Sequence, residues 1–434
     1  MVTAKPVRDA LKQAIGEGRM VADDDLSEYA VDGVMPKAAV FPKNEDQLGA
    51  VLSVAAREGW AVVPRGSGRL MGLGSVPERV DIVVGLERLE HFIEHAPEDL
   101  TVTVGAGMTL GLLQEALAME GQWLSLDPPL ASGRTVGGVL ATDLNGPLSF
   151  GYGTARDMVL GMKVVGADGV VTKSGGRVVK NVTGFDVAKV HVGGLGTLGI
   201  IVEASFRLQP LPRKDATLTV RFDSLDGAME AAREIADSSY APQALEVVAD
   251  DRVRLCARFL GSASGVERRL KDIRSLLETA GSNGVEMLEG VEAGELWQRI
   301  SDFGWEEKPE KSLMLRLGCL PSRVGEVAAE TLSLAEKRGY KIGMVIGPGR
   351  GVLRCVFPGL DRGDDTVISG VVDGSRGVVE SVGGYAVVEG CPTRAKKRLD
   401  VWGDAGPGLA VMHRLKEQMD PSRILNPGRF LGGI

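Results

Sequence analysis

The sequence predicts an α+β protein built in two different halves, and three observations predict it. Residues 38–209 alternate short β-branched runs with amphipathic helical stretches and many glycines. Residues 213–408 repeat a β-α-β-β-α rhythm almost unchanged, the pattern of ferredoxin-like units on an antiparallel sheet. Between them stands Gln209-Pro210-Leu211-Pro212-Arg213, whose prolines interrupt the hydrogen bonding of either element and mark a hinge.

Taken in order, Ala38 to Phe41 reads as a strand and Glu45 to Glu58 as a helix with Leu48, Val51, Leu52 and Ala55 on one face. Further strands are expected at residues 61–63, 81–84, 100–104, 162–167, 170–172 and 200–208, and a helix at 110–119 capped by Thr109. The alternation of Glu90-His91-Phe92-Ile93-Glu94-His95 suits a half-exposed strand, which gives both histidines a solvated role. In the second half, strands are expected at 218–222, 244–248, 252–259, 313–317, 341–346, 351–357 and 384–389. Helices are expected at 224–236, 265–280, 322–338 and 366–379. A short helix from Leu409 opens a tail punctuated by Pro and Gly, which could return to the first half.

Composition narrows the function. The 434 residues are 44% hydrophobic and 25% charged, the balance of an ordinary water-soluble protein of two or three domains. The net charge of -8 is spread along the chain without a basic block, which argues against a nucleic-acid partner. No apolar run approaches a membrane span, and the first residues lack the apolar stretch of a signal peptide, so a cytoplasmic protein is expected. Cys256, Cys319, Cys355 and Cys391 form no CxxC cluster, so four separate, mostly buried thiols are expected and neither a metal nor an iron-sulfur site.

Four motifs carry chemistry. The first, Pro64-Arg65-Gly66-Ser67-Gly68-Arg69-Leu70-Met71-Gly72-Leu73-Gly74, follows an apolar strand, and such a loop can turn successive N–H groups into a nest for a diphosphate. The second runs from Asp127-Pro128-Pro129 through Thr135-Val136-Gly137-Gly138-Val139-Leu140-Ala141-Thr142 to Asn145-Gly146-Pro147. The third is Val179 to Asp186, followed by Gly196-Thr197-Leu198-Gly199-Ile200-Ile201. The last is Met419-Asp420-Pro421-Ser422-Arg423-Ile424-Leu425-Asn426-Pro427-Gly428-Arg429. The string Gly194-Leu195-Gly196-Thr197-Leu198-Gly199 also fits GxGxxG, but a β-branched run follows where a dinucleotide fold needs a helix.

In this order and spacing the motifs resemble the flavoenzyme superfamily of vanillyl-alcohol oxidase and D-lactate dehydrogenase type. The resemblance implies a two-subdomain PCMH-type FAD-binding domain at 36–212 after an N-terminal helical segment at 1–35. It implies a cap domain at 213–408 and a tail at 409–434 that returns to the flavin site. By resemblance, FAD contacts fall to Arg65, Gly66, Ser67, Gly68, Arg69, Leu70, Thr135, Gly137, Gly138, Ala141, Thr142 and Ile201, with Asn426 near the flavin ring. No cysteine precedes position 256 and Ser67 stands where a histidine could, so the FAD is expected to be noncovalent.

Relatives that oxidise 2-hydroxy acids carry a His-rich strand motif in the cap, because the hydroxyl proton needs a base. Here residues 213–408 contain no histidine. That departure resembles the accessory FAD subunit of glycolate oxidase complexes, and implies a catalytic FAD subunit, an iron-sulfur subunit and a small 2-hydroxy acid as partners. Any membrane association would then come through those partners. His191 reads as a packed histidine. Arg316, Arg350 and Arg354 could hold an acid's carboxylate but read more simply as a solvated face. No catalytic residue is assigned. A self-sufficient FAD-dependent 2-hydroxy acid or alcohol dehydrogenase, and a structural subunit without flavin, remain the competing readings.

Overall fold

The structure is a computed structural model that describes residues 4–16, 20–21, 23–176, 186–240, 242–279, 283–305, 311–360 and 365–434. Strands β1 (Ala38–Val40), β2 (Val62–Arg65) and β3 (Ile82–Gly85) form a parallel three-stranded sheet in the order β1-β3-β2. All three are short and almost wholly apolar, as parallel strands covered on both faces must be. Asn44 accepts the amide of Gln47 to start helix Glu45–Glu58, and Gly59 in the left-handed region ends it. Its Leu48, Val51, Leu52 and Ala55 are buried with Val7, Leu11 and Ile15 of helix Ala4–Ile15.

Strands β4 (Phe92–Ala96), β5 (Thr101–Gly105), β7 (Val159–Val165), β8 (Val171–Gly175) and β9 (Ile200–Arg207) form a five-stranded antiparallel sheet in the order β4-β5-β9-β7-β8. The run after Gly199 is strand β9, so the GxGxxG string opens no helix. Thr109 caps helix Leu110–Ala118 as its sequence suggests. The proline segment is less of a break than expected: β10 (Gln209–Pro210) pairs with β6 (Gln122–Trp123), which ties it to the first half.

The second half is one eight-stranded antiparallel sheet. Its strands are β11 (Lys214–Phe222), β12 (Ala244–Ala249), β13 (Val253–Gly261), β14 (Asn283–Glu289), β15 (Ser312–Gly318), β16 (Gly343–Gly347), β17 (Val352–Pro358) and β18 (Tyr385–Gly390). The order β14-β11-β13-β12-β16-β17-β15-β18 is two β-α-β-β-α-β units joined where β12 pairs with β16. Strand β14 and helix Gly290–Asp302 have no counterpart in the sequence reading. Strand β14 is a sheet edge with Met287 exposed, so it carries no buried alternation to detect.

Period-two alternation decides what each face of this sheet does. Leu245, Val247, Leu313, Leu315, Leu317, Leu353, Cys355 and Phe357 pack under the helices on one face. The opposite face carries Glu246, Arg316, Arg354 and Glu389 toward the first half, with helix Gly290–Asp302 covering part of it. The tail comes back to the first sheet: Val62 donates to the Ile424 carbonyl at 2.7 Å and Asn426 to the Val62 carbonyl at 2.8 Å. Buried Lys416 fixes that return, donating to Thr197 O at 2.8 Å, Leu425 O at 2.9 Å and the Asp420 carboxylate at 2.6 Å. No helix of the described residues is long and apolar enough to cross a membrane.

Candidate functional site

A cleft opens between the β2–β3 loop, helix Val136–Thr142, the start of β9 and the tail. All thirteen residues that the sequence singles out line it: Arg65 to Leu70, Thr135, Gly137, Gly138, Ala141, Thr142, Ile201 and Asn426. They come from four separate chain segments, so only the fold brings them together. Of the third motif, residues 179–185 lie outside the described residues, while Gly196, Ile200 and Ile201 line the cleft.

Close approach explains the small residues. Thr135 caps its helix by accepting the amide of Gly138 at 3.2 Å, and a Cβ at Gly66 would run into the Thr135 hydroxyl. Gly68 has φ 77°, and the Arg65 guanidinium lies where its Cβ would be. Arg65 is accordingly occupied, paired with Glu87 at 3.2 Å and lying 4.8 Å from the Tyr29 ring centroid. Arg69 is exposed at the rim, against Gly133.

The cleft also holds two cations that the sequence reading missed. Arg134 is 2% exposed and Arg429 is 3% exposed. Arg134 donates to Gly138 O at 3.0 Å and to the Thr142 hydroxyl, and its Nη1 is buried without a partner. Arg429 donates to Met71 O at 2.7 Å and to Leu73 O, and its Nε and Nη1 are both buried without partners. Neither touches a carboxylate, and burial pulls each guanidinium down to about 10. Asn426 has φ 47° and donates from Nδ2 to Leu195 O at 2.6 Å, leaving its Oδ1 buried and unbonded. Orphaned donors and a glycine-lined cradle fit a bound dianionic diphosphate attached to a ring with polar edges, which is the chemistry of FAD. The signal for Arg134 and Arg429 was their place beside motif residues; nothing in the sequence showed that their charge is uncompensated.

A second cavity adjoins the cleft without sharing a lining residue. The chain passes from one to the other between Thr142 and Asp143. Arg316, Arg350 and Arg354 line this cavity, which corrects their reading as a solvated face. Each is held by a buried carboxylate: Arg316 Nε and Arg354 Nε donate to Glu389 at 2.8 and 2.9 Å, and Arg350 pairs with Glu246. The mistake has a physical reason. An arginine among apolar neighbours on a strand marks the face away from the core, and only the docking of the first half encloses that face.

None of the four histidines lines the cleft or the cavity. His191 is packed at the end of helix Ala188–His191 with Nδ1 unbonded, and burial lowers it to about 4. His95 bonds Gln122 at 3.0 Å on the outer strand β4. None of the four cysteines is in a disulfide, Cys256, Cys355 and Cys391 being buried and Cys319 half-buried, and no group of three His, Cys, Asp or Glu able to hold a metal occurs among the described residues.

A parallel sheet beside an antiparallel one, a glycine-lined cleft and a broad antiparallel cap define the class of the flavin-binding oxidoreductases. Residues 36–175 match the family described as FAD binding domain, and residues 211–306 and 402–430 match the C-terminal domain of FAD linked oxidases. The chain belongs to the PCMH-type FAD-binding proteins and is an FAD-dependent oxidoreductase in kind. It is 26% identical to "Glycolate oxidase subunit GlcD" of Bacillus subtilis, over 99% of this chain and 97% of that protein. It is 27% identical to "D-lactate dehydrogenase" of Archaeoglobus fulgidus, over 92% and 93%. Among solved structures, p-cresol methylhydroxylase with substrate bound superposes with a TM-score of 0.78 at 19% identity, over 98% of this chain and 96% of that one.

Proposed function

We propose that this chain is an FAD-binding subunit of a complex that oxidises glycolate or D-lactate, with a catalytic flavoprotein subunit and an iron-sulfur subunit as partners. Residues 36–212 would form the flavin-binding domain, 213–408 the cap, and 409–434 the tail that completes the site. The observation that carries the reading is the cleft, where the thirteen candidate residues and two uncompensated arginines converge while no histidine faces it or the cavity beside it. The likeness to a named subunit of glycolate oxidase supports membership of a complex. FAD supplies the capacity to take up a hydride and pass its electrons on. The residues here bind and orient it: the Gly66 to Leu70 loop and Thr135 to Gly138 hold the diphosphate, Arg134 and Arg429 balance its charge, and Asn426 meets the ring. No cysteine or histidine lines the cleft, which favours noncovalent attachment. A cytoplasmic protein, reaching a membrane only through partners, fits this role.

The second reading, a self-sufficient 2-hydroxy acid dehydrogenase, is favoured by the likeness to D-lactate dehydrogenases over nearly the whole chain. Its proton acceptor would be Asp143, the one carboxylate among the described residues that line the cavity. Burial raises the Asp143 carboxyl, against the Asn145 hydrogen bond and the charges of Arg316 and Arg156, which lower it.

Purification of the untagged native protein with its partners, followed by flavin and iron counts, tests the first reading. About one acid-releasable FAD per chain is expected, together with iron carried by a different chain. Flavin that stays with the denatured polypeptide would remove the noncovalent claim. A chain that purifies alone and colourless would remove both readings.

A further inference from the structure

Three consecutive carbonyls that follow the Gly66 to Leu70 loop are taken by cations from the C-terminal part of the chain. Arg429 donates from Nη2 to Met71 O at 2.7 Å and to Leu73 O, and Lys396 donates from Nζ to Gly72 O. Within the same turn Leu73 donates its amide to Leu70 O at 3.0 Å. A carbonyl held in this way fixes its whole peptide plane, so the shape of the loop up to Leu70 depends on what holds residues 71–73. Arg429 belongs to the tail and lines the cleft. Lys396 comes from the second half, at the end of helix Thr393–Lys396 behind β18, and does not line it.

Lys396 is 6% exposed, and its charge is met by Asp32 at 2.6 Å. Burial pulls its ammonium below the usual range; the Asp32 carboxylate opposes that and Arg429 adds to it. Asp32 is delivered by a tight turn. Val31 and Val34 exchange both amide–carbonyl bonds, at 3.0 and 2.9 Å, and Asp32 with φ 48° and Gly33 with φ 79° fill the two left-handed positions between them. The turn is seated on the first sheet, where Leu26 and Val31 pack with Ala39, Val63 and Val83 and with Met71 of the loop. Segments around residues 32, 72 and 396 therefore meet at one ammonium group, and its removal strands a buried carboxylate.

We infer that Lys396 is a positioning residue for the flavin: by holding the Gly72 carbonyl it keeps the diphosphate loop in its binding shape, and by pairing with Asp32 it ties that shape to the docking of the second half and of the N-terminal turn. The inference rests on the proposed flavin cleft and extends it to two residues that do not line it and that no motif marks. Lys396 acts through the backbone of the loop and not through contact with the cofactor. Asp32 acts through Lys396, as the counter-charge that lets an ammonium stay buried there. The two residues therefore differ in what they do for the cofactor although they form one ion pair.

The test measures FAD affinity and the melting temperature of the apoprotein side by side, in the full chain, for Lys396→Met, Asp32→Asn and the two combined. Asparagine is at home in a left-handed turn position, so Asp32→Asn keeps the turn. Lys396→Met is expected to melt lower, because Asp32 is stranded, and to bind FAD roughly tenfold more weakly or worse. Asp32→Asn alone should retain FAD affinity, since Lys396 still reaches Gly72. The double variant leaves no unpaired buried charge, so it should recover the melting temperature while its FAD affinity stays as low as that of Lys396→Met. An ion pair with only a structural role would recover both, and that outcome overturns the inference. The double variant also covers the case in which Lys396→Met does not fold. Wild-type FAD affinity in Lys396→Met or in the double variant overturns the inference as well, and leaves the flavin reading intact. A wild-type chain that takes up no FAD removes the flavin reading and the inference with it.

Discussion

In the cleft, Arg134 and Arg429 are buried against carbonyls and one hydroxyl with no carboxylate in contact, whereas each arginine of the neighbouring cavity is held by a buried glutamate. Asp32, whose charge acts on Arg429, is already paired with Lys396 at 2.6 Å. Leaving a guanidinium buried and unpaired costs several kcal/mol, so such a site is poised for an anion that stays. A guanidinium neutralised from behind carries little net charge forward, and suits a ligand that must also leave. The difference separates a resident cofactor from an exchangeable substrate using residue types that are the same in both places.

The largest effect should follow from closing the cleft itself. Gly68→Asp sets a side chain where the Arg65 guanidinium lies and at φ 77°, and Gly138→Asp places a carboxylate beside the Thr135 hydroxyl. Both variants should purify without flavin, as read by absorbance near the flavin bands. Wild-type FAD affinity in both would move the cofactor out of this cleft and dissolve the comparison.

Next in size is the consequence of a cavity without a histidine. A positioned base contributes about 10²–10⁴-fold, so the isolated chain should reduce dyes with glycolate or D-lactate at no more than a residual rate, unchanged in His191→Ala. Ordinary enzyme rates abolished by Asp143→Asn would establish the self-sufficient dehydrogenase instead. The cavity would then be a catalytic chamber and not only a binding one.

How far the sequence could be read follows the same division. Strands β1 to β5 and β7 to β9, with helices Glu45–Glu58 and Leu110–Ala118, were legible from local pattern, while the thirteen cleft residues were reached through the family resemblance of the motifs; the structure then shows a cap at Thr135, glycines where backbones approach and an asparagine in the left-handed region at 426. What was not legible depends on one half meeting the other. Nothing local to Leu315-Arg316-Leu317 shows that its outward face is enclosed, or that an irregularity at Glu389 sets a carboxylate under two arginines. Arg134 lies next to a recognised motif, yet whether a guanidinium is compensated is a property of its surroundings.

Removing the cleft's cations should act in opposite directions on the two states of the protein. Arg134→Met or Arg429→Met deletes a buried, unpaired charge, so the apoprotein should melt no lower than wild type. The same change removes a charge-assisted partner of the diphosphate, worth about 1.5–3 kcal/mol, so FAD should bind roughly tenfold more weakly or worse. In the cavity, by contrast, Arg354→Met takes from buried Glu389 one of its two counter-charges, leaving only Arg316, and should lower the melting temperature of the apoprotein. If the arginines of the two sites behave alike in the apoprotein, the distinction between an uncompensated and a compensated site fails.

The smallest expected effect concerns the imidazole that belongs to neither site. His191 is buried beside Gly199, and burial lowers its pKa from 6.5 to about 4. The folded protein therefore binds this proton less readily than the unfolded chain, and stability contributed by the neutral ring is present above 6.5 and lost as pH falls toward 4. At pH 5 the loss amounts to about 2 kcal/mol. His191→Gln cannot take up that proton, so its denaturant midpoint should change less between pH 7 and pH 5 than that of the wild type. The packed reading rests on the sign of this difference. A variant that loses more stability than wild type over the same interval would mean that the folded protein holds His191 charged, with a carboxylate or a bound anion as its partner.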